Sequence, residues 1–491
     1  MIAPSFHPAT IRAVCEPRGR WSFGLTTRSV ALLIAGFAFL IPGLWDARLS
    51  FAMLAWDALV LLAALLDGMR LPRAAQLSAS RGWSNAPSLD SQTEIELTVE
   101  NQGAVIIECR LIDDLPPALK DPGSPPHARG PVRGGPDSQQ EPIRITAFPR
   151  VAASVRYHVE PQERGDCATG SLYIRYRSPL ALAERWAKAP LVQTVRIYPT
   201  LRTGEEQQIF LARSRQIDLQ LRQARRGLGR DFESLRDYRE GDDLRDICWT
   251  ASARRGSLIT RQYQTERSQP VWIVLDCGRL MRSRVVAAPG SKSALPLPSG
   301  SLRAHSKLDH ACSTAVALAQ LALFSGDRVG LLAYGQAVQQ RLLPGRGAAH
   351  LRQMIELLAQ LRAEPSEADH LRATALMGRL QPRRSLILWI TDLAETAMRP
   401  EVIDGAMQLL RRHVLLFVAM AQPEVDAIAQ QRPKSVEQMF RAAAAQEMAS
   451  HRELLIARLQ DQGALTLDLN PEALTSSVLN QYLTVKERAM V

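Results

Sequence analysis

The stretch VWIVLD, residues 271–276, decides the fold of the C-terminal half of this 491-residue chain. A run of apolar residues that ends in an acid is typical of a strand buried on both faces. The segment that follows at residues 308–326 has its apolar residues at helical spacing and ends on Gly326, the residue type that favours a helix C-terminus. A buried strand followed by an amphipathic helix is the repeating unit of a doubly wound α/β domain.

The same alternation continues towards the C-terminus. Buried-strand patterns recur in RVGLLAYG, SLILWITDL and HVLLFVAMA, with helical patterns around HLRQMIELLAQL and VIDGAMQLL, then a short strand ALTLDL and a last helix from Pro471. Residues 285–306 are rich in Pro, Gly and Ser, which predicts a flexible insertion just after the first strand. Residues 270–491 are therefore predicted to form a mainly parallel sheet whose sites lie at the carboxyl ends of its strands.

A different period governs residues 76–200. TEIELTVEN, residues 93–101, alternates apolar and polar residues, and several similar short segments follow up to Pro199. Period-two strands at short spacing, separated by Pro- and Gly-containing turns, predict an antiparallel β-sandwich. Residues 121–142 are dense in Pro and Gly and are predicted to be a disordered insertion in this domain.

Two apolar runs lie near the N-terminus, at residues 29–45 and 51–66, with only DARLS between them. With a few flanking residues each approaches the roughly 20 residues that span a bilayer, so residues 29–69 are predicted to be a transmembrane helical hairpin. Arginines precede and follow the hairpin, which places residues 1–28, as a tail, and both termini in the cytoplasm by the positive-inside rule. We therefore expect a multi-pass protein of the bacterial inner membrane with cytoplasmic soluble domains. A cleaved signal peptide is the alternative.

Asp57 is an acid inside the second apolar run. It is either a functional acid that pairs across a helix interface within the membrane, or a residue that lies near a helix end or faces its partner helix.

Composition excludes some classes of function. The net charge is +11, but the arginines are interleaved with acids and no aromatic platform accompanies them, so nucleic acid is not a predicted partner. The six cysteines are far apart, which favours reduced thiols over a disulfide framework. Phosphate-loop, HExxH and GxSxG motifs are absent, so no catalytic site and no small-molecule substrate are predicted. Cys277 at a strand end is interpreted as a small buried apolar residue, with a nucleophile as the alternative.

Residues 201–269 contain a charged block, GRDFESLRDYREGDDLRDICWTASARRGSLITRQY at residues 229–263. The pattern predicts an extended segment, then a helix with Asp242 as N-cap and Asp243 in its first turn, and then a strand. Arg254 and Arg255 fall in the predicted last turn, before Gly256. Trp249 is interpreted as a core anchor with Arg236 and Arg245 stacked or paired nearby. The block is either a salt-bridged junction between two domains or a surface for a protein partner.

The apolar hairpin, the sandwich pattern, GRDFESLRDYREGDDLRDICW, SARRGSLITRQY, the strand ending in VLD, GDRVGLLAYG, ITDL and LNQYLTVKER together resemble a bacterial family, domain of unknown function 58. The resemblance implies a membrane-anchored protein with a von Willebrand factor A-like domain that acts with a MoxR-type AAA+ ATPase. It implies no established reaction. The matching positions in the charged block are Asp242, Asp243, Arg245, Trp249, Ala253 and Arg254.

Domains of this kind often hold a divalent cation with an Asp-x-Ser-x-Ser motif after the first strand. In this chain Asp276 matches the aspartate, whereas Gly278 and Leu280 offer no side-chain oxygen and Arg279 adds a positive charge. Asp392 matches a later acid of the fold. Two carboxylates with water would hold Mg²⁺ only weakly, so no cofactor is predicted, and Asp276 is expected to cap a neighbouring helix or to pair with Arg279.

Two classes of function follow from the sequence. The first is a non-catalytic membrane-anchored adaptor or scaffold that works with a MoxR-type AAA+ ATPase in protein-complex assembly or maturation. The second is a metal-dependent binding module or enzyme that uses Asp276 and Asp392.

Overall fold

The computed structural model describes residues 8–19, 22–39, 47–89, 91–119, 142–200, 212–213, 231–239, 244–264, 269–286, 304–393 and 401–488. The chain forms two compact units. The N-terminal unit comprises Met1–Thr200 with Leu295–Ser301, and the C-terminal unit comprises Leu201–Ala294 with Leu302–Val491. The predicted insertion at 121–142 lies outside the described residues except for Pro142.

The N-terminal unit contains twelve strands and two α-helices in its described part. In chain order they are β1 Ile11–Val14, β2 Glu16–Pro17, β3 Phe23–Leu25, α1 Thr27–Gly36, α2 Ala47–Arg70, β4 Leu77–Trp83, β5 Thr93–Asn101, β6 Ile107–Asp113, β7 Ile143–Ala147, β8 Ala152–Val159, β9 Gly165–Thr169, β10 Leu172–Arg177, β11 Ala183–Ala189 and β12 Gln193–Ile197.

The strands of this unit confirm the predicted antiparallel β-sandwich. One sheet has the order β1-β4-β5-β8, a second contains β2-β11-β10-β6-β7 with β3 also paired to β11, and β9 pairs with β12. Strand β5 coincides with the predicted strand TEIELTVEN, and its residues are alternately buried and half-buried. Because alternate side chains point to opposite faces of a sheet, Ile95, Leu97 and Val99 all enter one apolar core.

The segment predicted to be an N-terminal tail takes part in the sandwich. Strand β1 pairs antiparallel with β4, with Ile11 opposite Arg81, and β2 and β3 both pair with β11. Cys15, between β1 and β2, is buried in the sandwich core. Short strands of this kind carry little periodic signal, and their place is decided by the edges of the sheets that they cover.

The predicted hairpin of two membrane spans is not confirmed. Among the described residues one helix segment, Phe51–Arg70, is long and apolar enough to cross a membrane, with a mean hydropathy of 1.8. Helix α1 has ten residues and is followed by a 3-10 turn at Phe37–Phe39, which makes it too short to span. The two helices are in contact, since Trp56 Nε1 donates to the carbonyl oxygen of Leu32 at 3.0 Å.

The C-terminal unit contains the other elements of the described chain. They are β13 Asp231–Asp237, α3 Trp249–Arg255, β14 Ile259–Gln264, β15 Pro270–Asp276, β16 Arg284–Val286, β17 Ala304–Ser306, α4 Lys307–Phe324, β18 Arg328–Tyr334, β19 Val338–Gly345, α5 Gly347–Gln360, α6 His370–Leu380, β20 Leu386–Thr391, α7 Glu401–Leu410, β21 Val414–Met420, α8 Pro423–Gln430, α9 Val436–Asp461, β22 Leu465–Leu469 and α10 Leu474–Glu487.

The main sheet of this unit confirms the predicted doubly wound α/β fold. Its order is β19-β18-β15-β20-β21-β22, and every neighbouring pair is parallel except the antiparallel edge pair β18–β19. The strand VWIVLD occupies the middle as β15, with β18 on one side and β20 on the other. Its residues are buried throughout because helices cover both faces of such a sheet. The order reverses next to β15, and this is the place where open α/β sheets bind ligands.

The predicted flexible insertion at 285–306 has a structured base. Arg284 pairs with Ser306 and Val286 with Ala304 in the two-stranded sheet β16–β17. Residues 287–303 lie outside the described residues. The side chain of Ser306 then accepts from the backbone N–H of Asp309, while the Asp309 carboxylate accepts from the backbone of Ser306, so helix α4 starts with a reciprocal cap.

Candidate functional site

The carboxyl edge of the main sheet brings together the two acids that the sequence proposed as metal ligands. Asp276 is the last residue of β15 and Asp392 follows the end of β20, and the two strands are parallel neighbours. Both carboxylates are buried, with 4% of Asp276 and none of Asp392 exposed. Buried acids need partners, and the identity of the partners determines the chemistry available at this edge.

Asp276 is held by neutral donors. The hydroxyl of Thr391 donates to its Oδ2 at 2.6 Å, and the backbone N–H of Gly278 donates to its Oδ1 at 2.7 Å. Gly278 is the N-cap residue of the 3-10 turn Arg279–Arg282, so Asp276 binds the residue that precedes the turn and the expected helix cap is not formed by its side chain. The side chain of Arg279 is exposed to solvent. Burial raises the pKa of the Asp276 carboxyl above its ordinary value, and the charge of Asp392 acts in the same direction.

Asp392 is held by cations. Nζ of Lys307, at the first position of α4, donates to its Oδ2 at 2.5 Å, and Nε2 of Gln422 donates to the same oxygen at 3.0 Å. On the other side, Nη1 of Arg452 lies 3.8 Å from Asp392 Oδ1 and Arg452 also pairs with Asp468 at 2.5 Å. Lys307 is itself only 2% exposed. Asp392 therefore sits between two positive charges.

A buried polar cluster lies behind the two acids. The hydroxyl of Tyr334, the last residue of β18, is 2.9 Å from Nδ1 of His370 and accepts from Nε1 of Trp389 at 2.7 Å. Burial lowers the pKa of His370, while the negative charge of Asp276 acts in the opposite direction. The cluster fixes the ends of β18 and β20 through satisfied hydrogen bonds.

The residues at this edge do not fit a divalent cation. Mg²⁺ takes about six oxygen ligands at 2.0–2.1 Å, and the ammonium of Lys307 lies where such an ion would meet Asp392. Hydroxyl ligands are missing after β15, as the sequence indicated, since Gly278 and Leu280 occupy those positions. Within the described ranges, no group of three or more His, Cys, Asp or Glu side chains is arranged to hold a metal ion.

Lys307 is the residue at this site that the sequence did not single out. The first turn of a helix favours acids, because the helix dipole is positive there, and a lysine at this position of an apolar helix is a local inconsistency. That inconsistency was the available signal. Its cause is the buried carboxylate of Asp392, 85 positions away in the chain, which no local pattern identifies.

The charged block forms a small hairpin with a helix between its strands. Both predicted extended segments form strands, β13 and β14, and the structure pairs them antiparallel with Arg236 opposite Thr260. The helix is shorter than predicted, because a 3-10 turn at Leu244–Asp246 precedes it and α3 begins at Trp249 with Cys248 as N-cap. Gly256 ends it in the left-handed region, with φ of +72°, as predicted.

The block's candidate residues are dispersed. Asp242 and Asp243 lie outside the described residues, so the predicted N-cap role is not placed. Arg245 belongs to the 3-10 turn, its side chain being outside the described part, and Arg236 donates to the carbonyl oxygen of Asp237 at 3.3 Å. Arg254 is exposed in the last turn of α3.

Trp249 does not anchor a core, so that prediction is wrong. Its side chain is 67% exposed, whereas the buried apolar residues described in the module are Ile247, Cys248 and Ile259. The buried set follows from the hairpin, because Cys248 N donates to the carbonyl oxygen of Ile259 and turns the next residue outward. Three other large apolar side chains of the module are also exposed: Leu235, Leu244 and Leu258.

The remaining predicted residues have structural environments. Cys277 is fully buried, in agreement with a small apolar packing role. The other cysteines are also free thiols, and burial raises the pKa of Cys15 and of Cys109 to about 12. Asp57 faces helix α1, since a Cβ at Gly36 would lie 2.6 Å from its Oδ1. This contact agrees with the interpretation that Asp57 faces its partner helix.

Comparison with known proteins supports the family resemblance. Residues 234–430 match the model of the family described as "Protein of unknown function DUF58". The uncharacterised protein Rv1480 of Mycobacterium tuberculosis is 24% identical over 258 residues, which cover 50% of this chain and 76% of that protein. Protein Mb1516 of Mycobacterium bovis, also uncharacterised, matches to the same extent. The matched family segment contains the charged block from Ser234, both acids of the strand-end site and Lys307.

Solved structures similar to this chain include von Willebrand factor A domains. The conserved hypothetical protein BatB from Bacteroides thetaiotaomicron is 12% identical, with a TM-score of 0.29, and covers 45% of this chain and 100% of that one. The SpRpn10 VWA domain is 10% identical, with a TM-score of 0.26, and covers 44% of this chain and 95% of that one. At these TM-scores the fold assignment rests on the sheet order described above.

Proposed function

We propose that this protein is a non-catalytic adaptor, anchored in the bacterial inner membrane, whose A-like C-terminal unit works with a MoxR-type AAA+ ATPase in the assembly or maturation of protein complexes. The nature of the partner and the process are those that the family resemblance implies. The observation that carries the proposal is the exposure of Trp249 and its apolar neighbours on the β13–α3–β14 module.

The module has the composition of a protein-binding surface. Tryptophan is enriched at interface hot spots because one side chain contributes a large apolar area, and Trp249 leaves two thirds of that area in solvent. Leu244 is equally exposed and Leu258 is 47% exposed. Trp249, Leu244 and Leu258 are thus exposed within one short stretch of chain, and the tryptophan is the residue of this stretch that most favours a protein partner.

Two charges on the helix of Trp249 indicate the chemistry of the partner. Arg254 and Arg255 are exposed in the last turn of the same helix. Arginine pairs with carboxylates through two parallel hydrogen bonds and is itself enriched at interfaces. A complementary surface would present an apolar pocket for Trp249 with acidic side chains at its rim.

Helix α2 supports the membrane anchor. In the described span Phe51–Arg70, 22% of the apolar window is buried, and Phe51, Leu54 and Met69 are all more than 60% exposed. Such a surface is suited to hydrocarbon and unfavourable in water. We propose that the chain spans the membrane twice, through the two apolar runs of its sequence at residues 29–45 and 51–66, with both termini in the cytoplasm.

The ATPase proposal is tested by capture. The full chain, purified in detergent, is immobilised and exposed to the cognate MoxR-type ATPase with ATP, and the affinity is measured by surface plasmon resonance. Truncation of a hot-spot tryptophan costs about 2 kcal/mol or more, so Trp249→Ala is expected to weaken binding by at least about tenfold. Its stability is expected to change little because the side chain is exposed.

Phe440→Ala is the matched control. Phe440 is an aromatic residue with 69% exposure on α9, and it lies outside the family segment 234–430. Its removal is expected to leave the affinity unchanged. Equal affinities of the wild type and of folded Trp249→Ala would remove the module from the interface, and no binding by the wild type would reject the ATPase as a partner.

The topology is tested separately. Reporters that are active in only one compartment are fused after Val491 and, in a second fusion, before the first apolar run. Cytoplasmic activity of both fusions is expected. A periplasmic signal from the C-terminal fusion would contradict the proposed topology.

A further inference from the structure

The strand-end site of the C-terminal unit contains its own cation. The ammonium of Lys307 contacts Asp392 at 2.5 Å, and Asp276 is tied to the same strand end through Thr391. The carboxylate of Asp392 thus has a positive charge supplied by the protein itself, at the strand end where Asp276 and Thr391 also lie. The missing hydroxyls after β15 would be a defect in a metal site, but an ammonium with three protons needs fewer ligands.

We propose that Lys307 replaces a divalent cation at this site, so that the A-like domain keeps a positive charge at the carboxyl edge of its sheet without binding metal. The proposal goes beyond the adaptor function and does not depend on it. It makes the charge of the site a fixed property of the sequence, independent of the concentration of free divalent cations.

The position of Lys307 is held by its backbone as well as by its side chain. Its N–H donates to the carbonyl oxygen of Ser283 at 3.0 Å, and the cap formed by Ser306 and Asp309 fixes the start of α4. The residue after it, Leu308, is 1% exposed and packs in the core. These contacts hold the backbone of Lys307 at the strand end, so that its ammonium lies within reach of Asp392.

Charge balance favours the lysine over a metal. Asp392 faces Lys307 and, at 3.8 Å, Arg452, so two positive charges already surround this carboxylate. A divalent cation at Asp392 would add two more positive charges beside those of Lys307 and Arg452.

Removal of the lysine should reverse this balance. In Lys307→Ser the ammonium is replaced by a short hydroxyl, and the freed volume borders Asp392 at the strand end to which Thr391 ties Asp276. Oxygen ligands around an empty buried volume are what a hard divalent cation requires. The substitution is therefore expected to create a cation site that the wild type lacks.

The test measures binding of Mn²⁺ and Mg²⁺ to the full chain purified in detergent after treatment with EDTA. For the wild type we expect no saturable binding at this site by calorimetry and no change in melting temperature when Mg²⁺ is added. For Lys307→Ser we expect a lower melting temperature in EDTA, a recovery on adding Mn²⁺, and an affinity at least about tenfold above that of the wild type.

Two further variants make the result specific. Lys307→Met removes the charge but fills the volume, so it should lose stability without gaining Mn²⁺ binding. Lys307→Ser combined with Arg452→Gln removes both cations beside Asp392 and should bind Mn²⁺ at least as well as the single variant.

Two results would overturn the proposal. One is saturable Mn²⁺ binding to the wild type that Asp276→Asn abolishes, a measurement that holds even where the lysine variants do not fold. The other is a folded Lys307→Ser, alone and with Arg452→Gln, that binds Mn²⁺ no better than the wild type.

Discussion

Each unit of this protein buries one cation against a carboxylate, and the two pairs differ in their surroundings. In the N-terminal unit Arg81 pairs with Asp113 inside the β-sandwich, and both residues are at most 5% exposed. In the C-terminal unit Lys307 pairs with Asp392 at the carboxyl edge of the parallel sheet. Burial and charge are alike in the two pairs, so they do not distinguish a structural pair from a site.

The sandwich pair is closed by the strands around it. Arg81 donates from Nε and Nη2 to the two carboxylate oxygens of Asp113, and from Nη1 at 2.8 Å to Thr169 Oγ1 and to the Leu191 carbonyl oxygen. Tyr157 donates a further hydrogen bond to Asp113 at 2.5 Å. A guanidinium presents its donors in a rigid fork, and here that fork is satisfied entirely within one core.

The strand-end pair, Lys307–Asp392, is less completely enclosed, because its carboxylate has further donors nearby. Lys307 has one carboxylate partner, and Asp392 has the alternative donors Gln422 and Arg452. Its place is the edge at which doubly wound sheets bind ligands. Two features therefore distinguish the pairs: their position in the fold and the number of alternative partners. Arg81–Asp113 stabilises a core, whereas Lys307–Asp392 lies at the edge where a ligand would bind.

The largest effect is expected for Arg81→Ala. Removal of one member of a buried pair leaves an uncompensated charge, here Asp113. We expect a cost of about 5 kcal/mol, the upper end for such pairs, because five acceptor atoms lose their donor together. Hydrogen exchange of the full chain should show faster exchange throughout β4, β6 and β10, with the C-terminal unit unchanged.

Arg156→Ala is the matched control in the same sheet region. Its pair with Glu96 is exposed, at 62% and 38%, and exposed pairs contribute about 0–1 kcal/mol. Equal destabilisation by Arg81→Ala and Arg156→Ala would show that the closed network contributes nothing beyond a surface pair.

An intermediate effect is expected for Lys307→Met. Asp392 loses its closest cation but keeps Gln422 and Arg452, so the loss should be near the lower end for buried pairs, about 3 kcal/mol. The loss of stability is measured by unfolding the full chain in denaturant and following amide hydrogen exchange in β15 and β20.

The double variant Lys307→Met with Asp392→Leu tests whether the lysine serves stability or the site. Replacing both members of a buried pair by apolar residues is often neutral or stabilising, so the double variant should recover most of the loss. If the double variant were less stable than either single variant, charge compensation between Lys307 and Asp392 would not explain the loss of stability in Lys307→Met.

The smallest effect is a dependence on pH that separates the two units. Burial lowers the pKa of His370 and of His413 below the ordinary value of 6.5. The unfolded chain therefore binds more protons as the pH falls, and the stability contributed by these neutral histidines is present above pH 6.5 and lost below it. The raised pKa of Asp276 acts in the opposite sense, since its contribution is lost as the pH rises.

Between about pH 7 and about pH 5 we expect the wild type to lose more stability in its C-terminal unit than the variant His370→Gln with His413→Gln, because both proteins keep the two acids with raised pKa, Asp276 and Asp327, and only the wild type has the two histidines. The one histidine described in the N-terminal unit, His158, is exposed, so the sandwich should change less. Hydrogen exchange at both pH values measures the difference. If the stability of the variant His370→Gln with His413→Gln depended on pH as steeply as that of the wild type, groups other than these histidines would cause the pH dependence.

Sequence patterns correctly predicted the elements that depend on the type and order of neighbouring residues. The buried run at 271–276 and the alternating run at 93–101 both form the strands expected of them, since period and apolarity depend only on which faces are covered. Gly256 and Gly326 both take positive φ at helix ends, as their residue type predicts.

The sequence misjudged the residues whose environment is made by distant segments. Trp249 has the composition of a core anchor, but the hairpin turns it outward. Residues 11–25 have too little periodicity to predict strands, and the open edges of two sheets give them that structure. The first of the two predicted membrane spans, residues 29–45, was predicted from apolarity alone, and the described part of α1 is too short to confirm it.

By itself the sequence determined the two classes of sheet, the loss of hydroxyl ligands after Asp276 and the apolar helix near the N-terminus, because each follows from the order and type of neighbouring residues. Only the tertiary structure decided what takes the place of a metal. Lys307 and Asp392 are in contact because the fold brings the start of α4 to the end of β20. A contact between residues so far apart in the chain depends on tertiary packing. A buried carboxylate requires a positive partner, and the fold supplies a lysine.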